Sequence, residues 1–126
     1  MDEIPNDNKQ IQTDEEILNH EQFEDMRDLL EEDFGDLIQV YITDSHQRVA
    51  MLRVAQQTDD NASGFESAHA LKGASATLGT TQLVKLCKLL QERCRERLIS
   101  EQADLIESIA VALQSAEQEI HKRLGQ

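Results

Sequence analysis

The sequence of 126 residues has no Trp, one Pro, five Gly, three Phe and one Tyr. Residues that fill strands, aromatic and β-branched, are scarce, which argues against a sheet. Long stretches free of Pro and Gly, rich in Leu, Ala, Gln, Glu and Arg, favour helix instead. No run approaches the roughly 20 apolar residues of a membrane-spanning helix, and the start, MDEIPNDNKQ, lacks the basic opening and apolar core of a signal peptide. Basic residues are few as well: 12 Lys and Arg stand against 25 Asp and Glu, for a net charge of -13 and a pI near 4.5. Such a chain repels phosphate backbones and anionic lipid alike, so neither nucleic acid nor membrane is expected as a partner. A cytoplasmic location is the expectation. The two cysteines, Cys87 and Cys94, would sit roughly 10 Å apart on one helix, beyond the roughly 7 Å between Cα atoms that a disulfide spans. They are expected to be reduced, buried thiols.

What is present reads as one helical domain. Residues 1–13 are polar, carry the only Pro and show no periodicity, so they read as a tail, with the domain over residues 14–126. Ile17, Leu18, Asn19 and Gln22 look like a hydrophobic staple and capping box opening a short helix through Phe23, Met26, Leu29 and Leu30. From Phe34 to Gln57 apolar residues recur at threes and fours, as one buried stripe of a long helix requires. Thr58, Asp59, Asp60 and Asn61 end it and cap a third helix to Leu78, which Gly79 stops. The fourth carries Leu83, Leu86, Cys87, Leu90 and Cys94 on one face and ends near Arg97. Ser100 is expected to cap the fifth, with Leu105, Ile109, Ala112, Leu113, Ala116, Ile120 and Leu124 inward. The expected fold is all-α, an antiparallel up-down four-helix bundle with an additional short N-terminal helix.

Charge is unevenly spread. Residues 1–66 hold 18 acids and 4 bases, whereas residues 72–97 hold 6 bases and 2 acids. A basic segment in an acidic protein suits an anionic group bound there; a merely solvated basic face would look the same. Of His20, His46, His69 and His121, only His69 has an informative setting. At about 100° per residue, it falls roughly 130° from the centre of the core residues Ala68, Leu71, Ser75 and Leu78, facing solvent. Lys72 and Gly73, three and four residues on, share that face. A neutral imidazole is a competent nucleophile that can carry a phosphoryl group. Mid-helix there are no free backbone N–H groups for a phosphate, so the counter-charge must come from a side chain, and Lys72 is placed for it. Gly73 costs the helix about 1 kcal/mol relative to Ala, a loss that makes sense if something approaches the backbone there. Ala70, Ala74 and Ala76 keep the surroundings low.

The segment AHALKGASATLG, followed by LVKLCKLLQ, resembles the histidine-containing phosphotransfer (HPt) family through Ala68, His69, Leu71, Lys72, Gly73, Ser75, Leu78, Gly79, Leu83, Cys87 and Leu90. One position departs: Gln91 stands where many members have Glu, a change read as affecting packing or capping. The resemblance implies that His69 is phosphorylated, that Lys72 stabilises the phosphoryl charge and that Gly73 leaves room for the docking partner. It also implies a phosphorelay intermediate without kinase activity. Its partners would be receiver domains of a hybrid sensor kinase and a response regulator, which supply the catalytic acids and Mg²⁺, so that no cofactor belongs to the chain itself. No glycine-rich phosphate loop or Walker motif appears in the sequence.

Docking is expected on Phe34, Leu37 and Ile38 together with the small-residue face at Ala76, while Lys85 and Lys88 on the fourth helix would steer an acidic surface or simply aid solubility. Two other readings share the fold: a docking module without phosphate chemistry, and the phospho-accepting domain of a larger histidine kinase. A metal-binding bundle fits poorly. Glu66 and His69 form one Glu-x-x-His pair, but Ile17, Thr43 and Gln118 precede the other histidines by three, and a di-iron bundle needs that pair on two helices. No metal is expected. One acidic outer face gives no sign of a dimer, so a monomer is expected.

Overall fold

The computed structural model describes residues 17–125; the tail read over residues 1–13 lies outside the described residues. The elements are α1 (His20–Leu30), α2 (Phe34–Gln57), α3 (Asn61–Leu78), α4 (Thr81–Arg95) and α5 (Ala103–Arg123), with 3₁₀ turns at Glu31–Asp33 and Ile99–Glu101. In the bundle α2 packs on α3 and α5, and α4 packs on the same two, closing a ring of four; α1 lies against α2 and α3. The fold is the expected one, and its short connections make sequential helices antiparallel neighbours.

Each long helix contributes a stripe of buried residues. Leu52, Leu71, Leu83, Leu90, Ile106, Ile109 and Leu113 are at most 1% exposed and meet in one apolar cluster. Burying a side chain of this size stabilises the fold by about 1.5–3 kcal/mol. A second cluster, at the α1 end, gathers Leu18, Phe23, Phe34, Ile38, Tyr41, Ile42, Leu78 and Ile120. There Phe23 and Phe34 meet edge to face at 5.1 Å, a favoured aromatic geometry.

That second cluster corrects part of the docking expectation. Phe34 and Ile38 are 2% and 4% exposed, and Leu37 is half-buried against the same group. Periodicity marks all three as apolar but does not say which helix covers them. The answer is α1, which folds over the start of α2 and takes these side chains into the core.

The helix ends differ in three details. Asn19 caps α1 by accepting from the Gln22 N–H at 2.9 Å, as read, and Leu18 and Phe23 share a cluster as a staple should. The Gln22 side chain does not turn back to complete a capping box. Its amide donates instead to the carbonyls of Ala76 and Thr77 on α3, because those C-terminal groups have no partners within their own helix. Helix α4 stops at Arg95, and Ser100 caps nothing: it lies in the 3₁₀ turn, and α5 begins after Gln102. The cause is Ile99, fully buried, whose N–H donates to Asn61 Oδ1 at 3.0 Å. Drawing Ile99 onto the start of α3 forces an extra turn into the connection.

Cys87 and Cys94 are both buried free thiols. Burial pushes the Cys87 thiol up to about 12, against the lowering effect of the Lys72 charge. The neutral thiol is therefore favoured in the fold, and its contribution is complete below the ordinary thiol value, then lost as pH rises toward 12. Denaturant titrations at several pH values are expected to show stability falling above about pH 9, with less of a fall in Cys87→Ala. Phe34→Ala is expected to cost about 3–5 kcal/mol in the same assay, whereas a docking residue on the surface would cost almost nothing.

Candidate functional site

Helix α3 is clamped at both ends. At its start Asp60 accepts from the Ser63 N–H at 3.0 Å, and this hydrogen bond holds the Asp60 carboxyl below its usual pKa. Gly64 lies under Ile99: a Cβ there would collide with Ile99 Cδ1 and come within 3.2 Å of Cys94 Sγ. At the far end Gly79 takes φ +85°, the left-handed conformation of a helix C-cap. The Asn19 N–H donates to its carbonyl at 2.7 Å. Beneath, the Tyr41 hydroxyl bonds Ser75 Oγ at 2.9 Å and Thr80 Oγ1 at 3.0 Å, and burial raises the Tyr41 pKa, keeping the phenol neutral.

On the outer face of this fixed helix His69 is exposed, Lys72 half-buried, and Gly73 and Ala76 exposed. A Cβ at Gly73 would meet nothing within 4 Å. Close helix packing, the ordinary reason for a mid-helix glycine, holds for Gly64 and not for Gly73. The notch at Gly73 opens outward, to solvent. Ala76 has a second role, since its carbonyl receives Gln22 and so ties α1 to the same face.

The residue that sequence reading misjudged is Gln91. It is 4% exposed, and its Nε2 lies 3.2 Å from His69 Nδ1; its Oε1 has no partner among the described residues. An amide presents a donor and an acceptor that exchange when it turns over, so Gln91 can fix which ring nitrogen of His69 carries the proton. With Nδ1 held against α4, Nε2 is the ring nitrogen left for a reacting group.

Two contacts set the register of α3 against α4. His69 meets Gln91, and four residues earlier Phe65 meets Arg95, whose guanidinium carbon is 5.1 Å from the ring centroid. In an antiparallel pair the same register carries Lys72 to the level of Lys88, next to the Cys87 thiol that feels its charge. Lys88 and Lys85 are both exposed on α4, but Lys85 is nearly a turn farther along. The basic segment of the sequence thus becomes a set of cations beside an exposed imidazole. Among the described residues no group of three or more His, Cys, Asp and Glu could hold a metal ion, and no helix is long and apolar enough to cross a membrane.

A family model described as the Hpt domain matches residues 36–122, well over half of the chain. The protein belongs to the Hpt domain family. The crystal structure of histidine-containing phosphotransfer protein B (HptB) from Pseudomonas aeruginosa PAO1 is similar in fold, with a TM-score of 0.81 over 85% of this chain and 93% of that one, at 23% identity. No curated protein sequence matches the chain significantly. Family membership gives this Hpt domain a histidine phosphotransfer role in phosphorelays, as a phosphocarrier that interacts with receiver domains.

The two glycines are expected to respond oppositely to the same change. Gly73→Ala should raise stability by about 0.5–1 kcal/mol, the helix-propensity gain with no clash. Gly64→Ala should lower it by about 1–3 kcal/mol through overpacking against Ile99. Thermal melts of both variants decide this.

Proposed function

We propose that this Hpt domain accepts a phosphoryl group on His69 from the aspartyl phosphate of a hybrid sensor kinase's receiver domain and passes it to the aspartate of a response regulator. The observation that carries the reading is the exposed imidazole with Nδ1 against Gln91, above the open notch at Gly73 and beside Lys72.

In the accepting step the Nε2 lone pair attacks the phosphorus of the acyl phosphate. The N–P bond forms as the P–O bond to the aspartate breaks, and the carboxylate leaves with the bonding electrons. No proton needs to move. The ring proton stays on Nδ1; the Gln91 amide, whose Nε2 faces this atom at 3.2 Å, turns over so that its unpartnered Oε1 accepts the proton and offsets the positive charge the ring acquires. Delivery to the second receiver is the same step reversed. Phosphoryl transfer of this kind depends on positioning and charge stabilisation rather than on covalent help from the protein, so a rigid histidine with flanking cations suffices on this side. Lys72 and Lys88 serve the phosphoryl group, Lys85 assists approach, and Mg²⁺ belongs to the receiver's acidic pocket. The chain acts as a monomeric cytoplasmic carrier without kinase activity of its own.

The test presents a receiver domain carrying labelled phosphate, with Mg²⁺, to the wild type and to His69→Gln. Wild type is expected to acquire label that is lost in acid and kept in base. His69→Gln should melt like wild type, since an exposed side chain is changed, and acquire none; labelling of this variant overturns the reading. Lys72→Ala and Lys88→Ala should each slow transfer by about three- to tenfold, up to about 1.4 kcal/mol of barrier, whereas Lys85→Ala should alter mainly its salt dependence. Gly73→Val should block transfer by filling the notch while the bundle stays folded.

A further inference from the structure

His69 has a second neighbour besides Gln91. Phe65, one turn earlier on α3, lies parallel to it, with ring planes 5° apart and centroids 6.3 Å apart. Side chains on a helix lean toward its N-terminus, so the imidazole reaches back over the Phe65 ring. Phe65 packs with part of its ring against the main core cluster but is only half-buried, and it lines an open cleft with Arg95, so the rest of the ring stands outside the core. Arg95 covers the same phenyl ring at 5.1 Å, a cation–π distance. Helix α4 therefore reaches the site twice, through Gln91 on Nδ1 and through Arg95 on Phe65.

We propose that Phe65 is a positioning residue for phosphotransfer: a flat wall, braced by Arg95, that fixes the plane of the His69 ring for in-line attack. The proposal rests on His69 being the phosphoryl acceptor. A hydrogen bond at Nδ1 pins one edge of the ring but leaves its tilt loosely defined, because the final torsion of a histidine has broad wells. A parallel aromatic face four residues before removes that freedom. Four residues after, Gly73 has no side chain, so the ring is walled on one side and open on the other. The Nε2 lone pair lies in the ring plane, so holding that plane fixes the line along which the phosphorus arrives, on the side left clear by Gly73.

The experiment measures single-turnover transfer from a phosphorylated receiver to the full chain as receiver concentration is varied, which separates the maximal rate from half-saturation. Phe65→Leu keeps an apolar side chain but removes the flat face, and is expected to lower the maximal rate about tenfold, the scale of a small misalignment, with half-saturation unchanged. Phe65→Tyr should restore it. Arg95→Gln, an exposed change that leaves the fold intact, should lower the maximal rate about two- to threefold, as expected for loss of an exposed cation–π brace. A purely structural Phe65 would lower the melting temperature yet leave the maximal rate untouched well below it, and that result overturns the proposal. So does a Tyr variant as slow as the Leu variant. Failure of the acceptor reading is distinct: it shows as transfer to His69→Gln, whereas an inactive His69→Gln beside a fully active Phe65→Leu refutes the wall alone.

Discussion

The antiparallel pairing of α3 with α4 is the constraint on which the rest depends. One register sets Gln91 against His69, Arg95 against Phe65 and Lys72 level with Lys88. It is held from below by Leu71, Leu83, Cys87 and Leu90, all at most 1% exposed. Sliding α4 by one residue would turn its buried stripe by about 100° and expose these side chains. The apolar core thereby fixes the relation of groups that lie outside it.

The site proposed at His69, in mid-helix, also needs a helix that is held in place. The clamps on α3 act along its length: Asn61 and Ile99 at the start, Tyr41 beneath the last turns, and Asn19 and Gln22 at the C-terminus. The small helix α1 belongs to this system. It covers Phe34 and Ile38 and satisfies carbonyls that α3 cannot satisfy itself, turning a frayed helix end into a fixed edge of the exposed face.

Electrostatics acts at a different range. The chain is acidic overall, at -13, yet the face around His69 is basic. A negatively charged surface would be repelled from most of the molecule and attracted to this one region, which favours encounter in a single orientation. The ion pair of Arg53 with Glu107 at 3.0 Å, remote from this face, is solvent-exposed and contributes little to stability.

Within the chain, local order was legible. The limits of α2 and α3 follow from apolar spacing and from caps at Asp60 and Gly79, and the exposure of His69 and Gly73, with half-buried Lys72 on the same side, follows from counting 100° per residue, because these properties depend on neighbours a turn away. What the sequence left open depends on helices meeting in space. Phe34 and Ile38 are apolar in any reading, but only the docking of α1 makes them core. Gly64 and Gly73 are both mid-helix glycines, and only Ile99 against one and open space beside the other separates packing from access. Gln91 is a polar residue among apolar ones, and its partner stands 22 positions away on another helix. Periodicity assigns each residue to a face; which face it meets is decided by the burial of all the helices together.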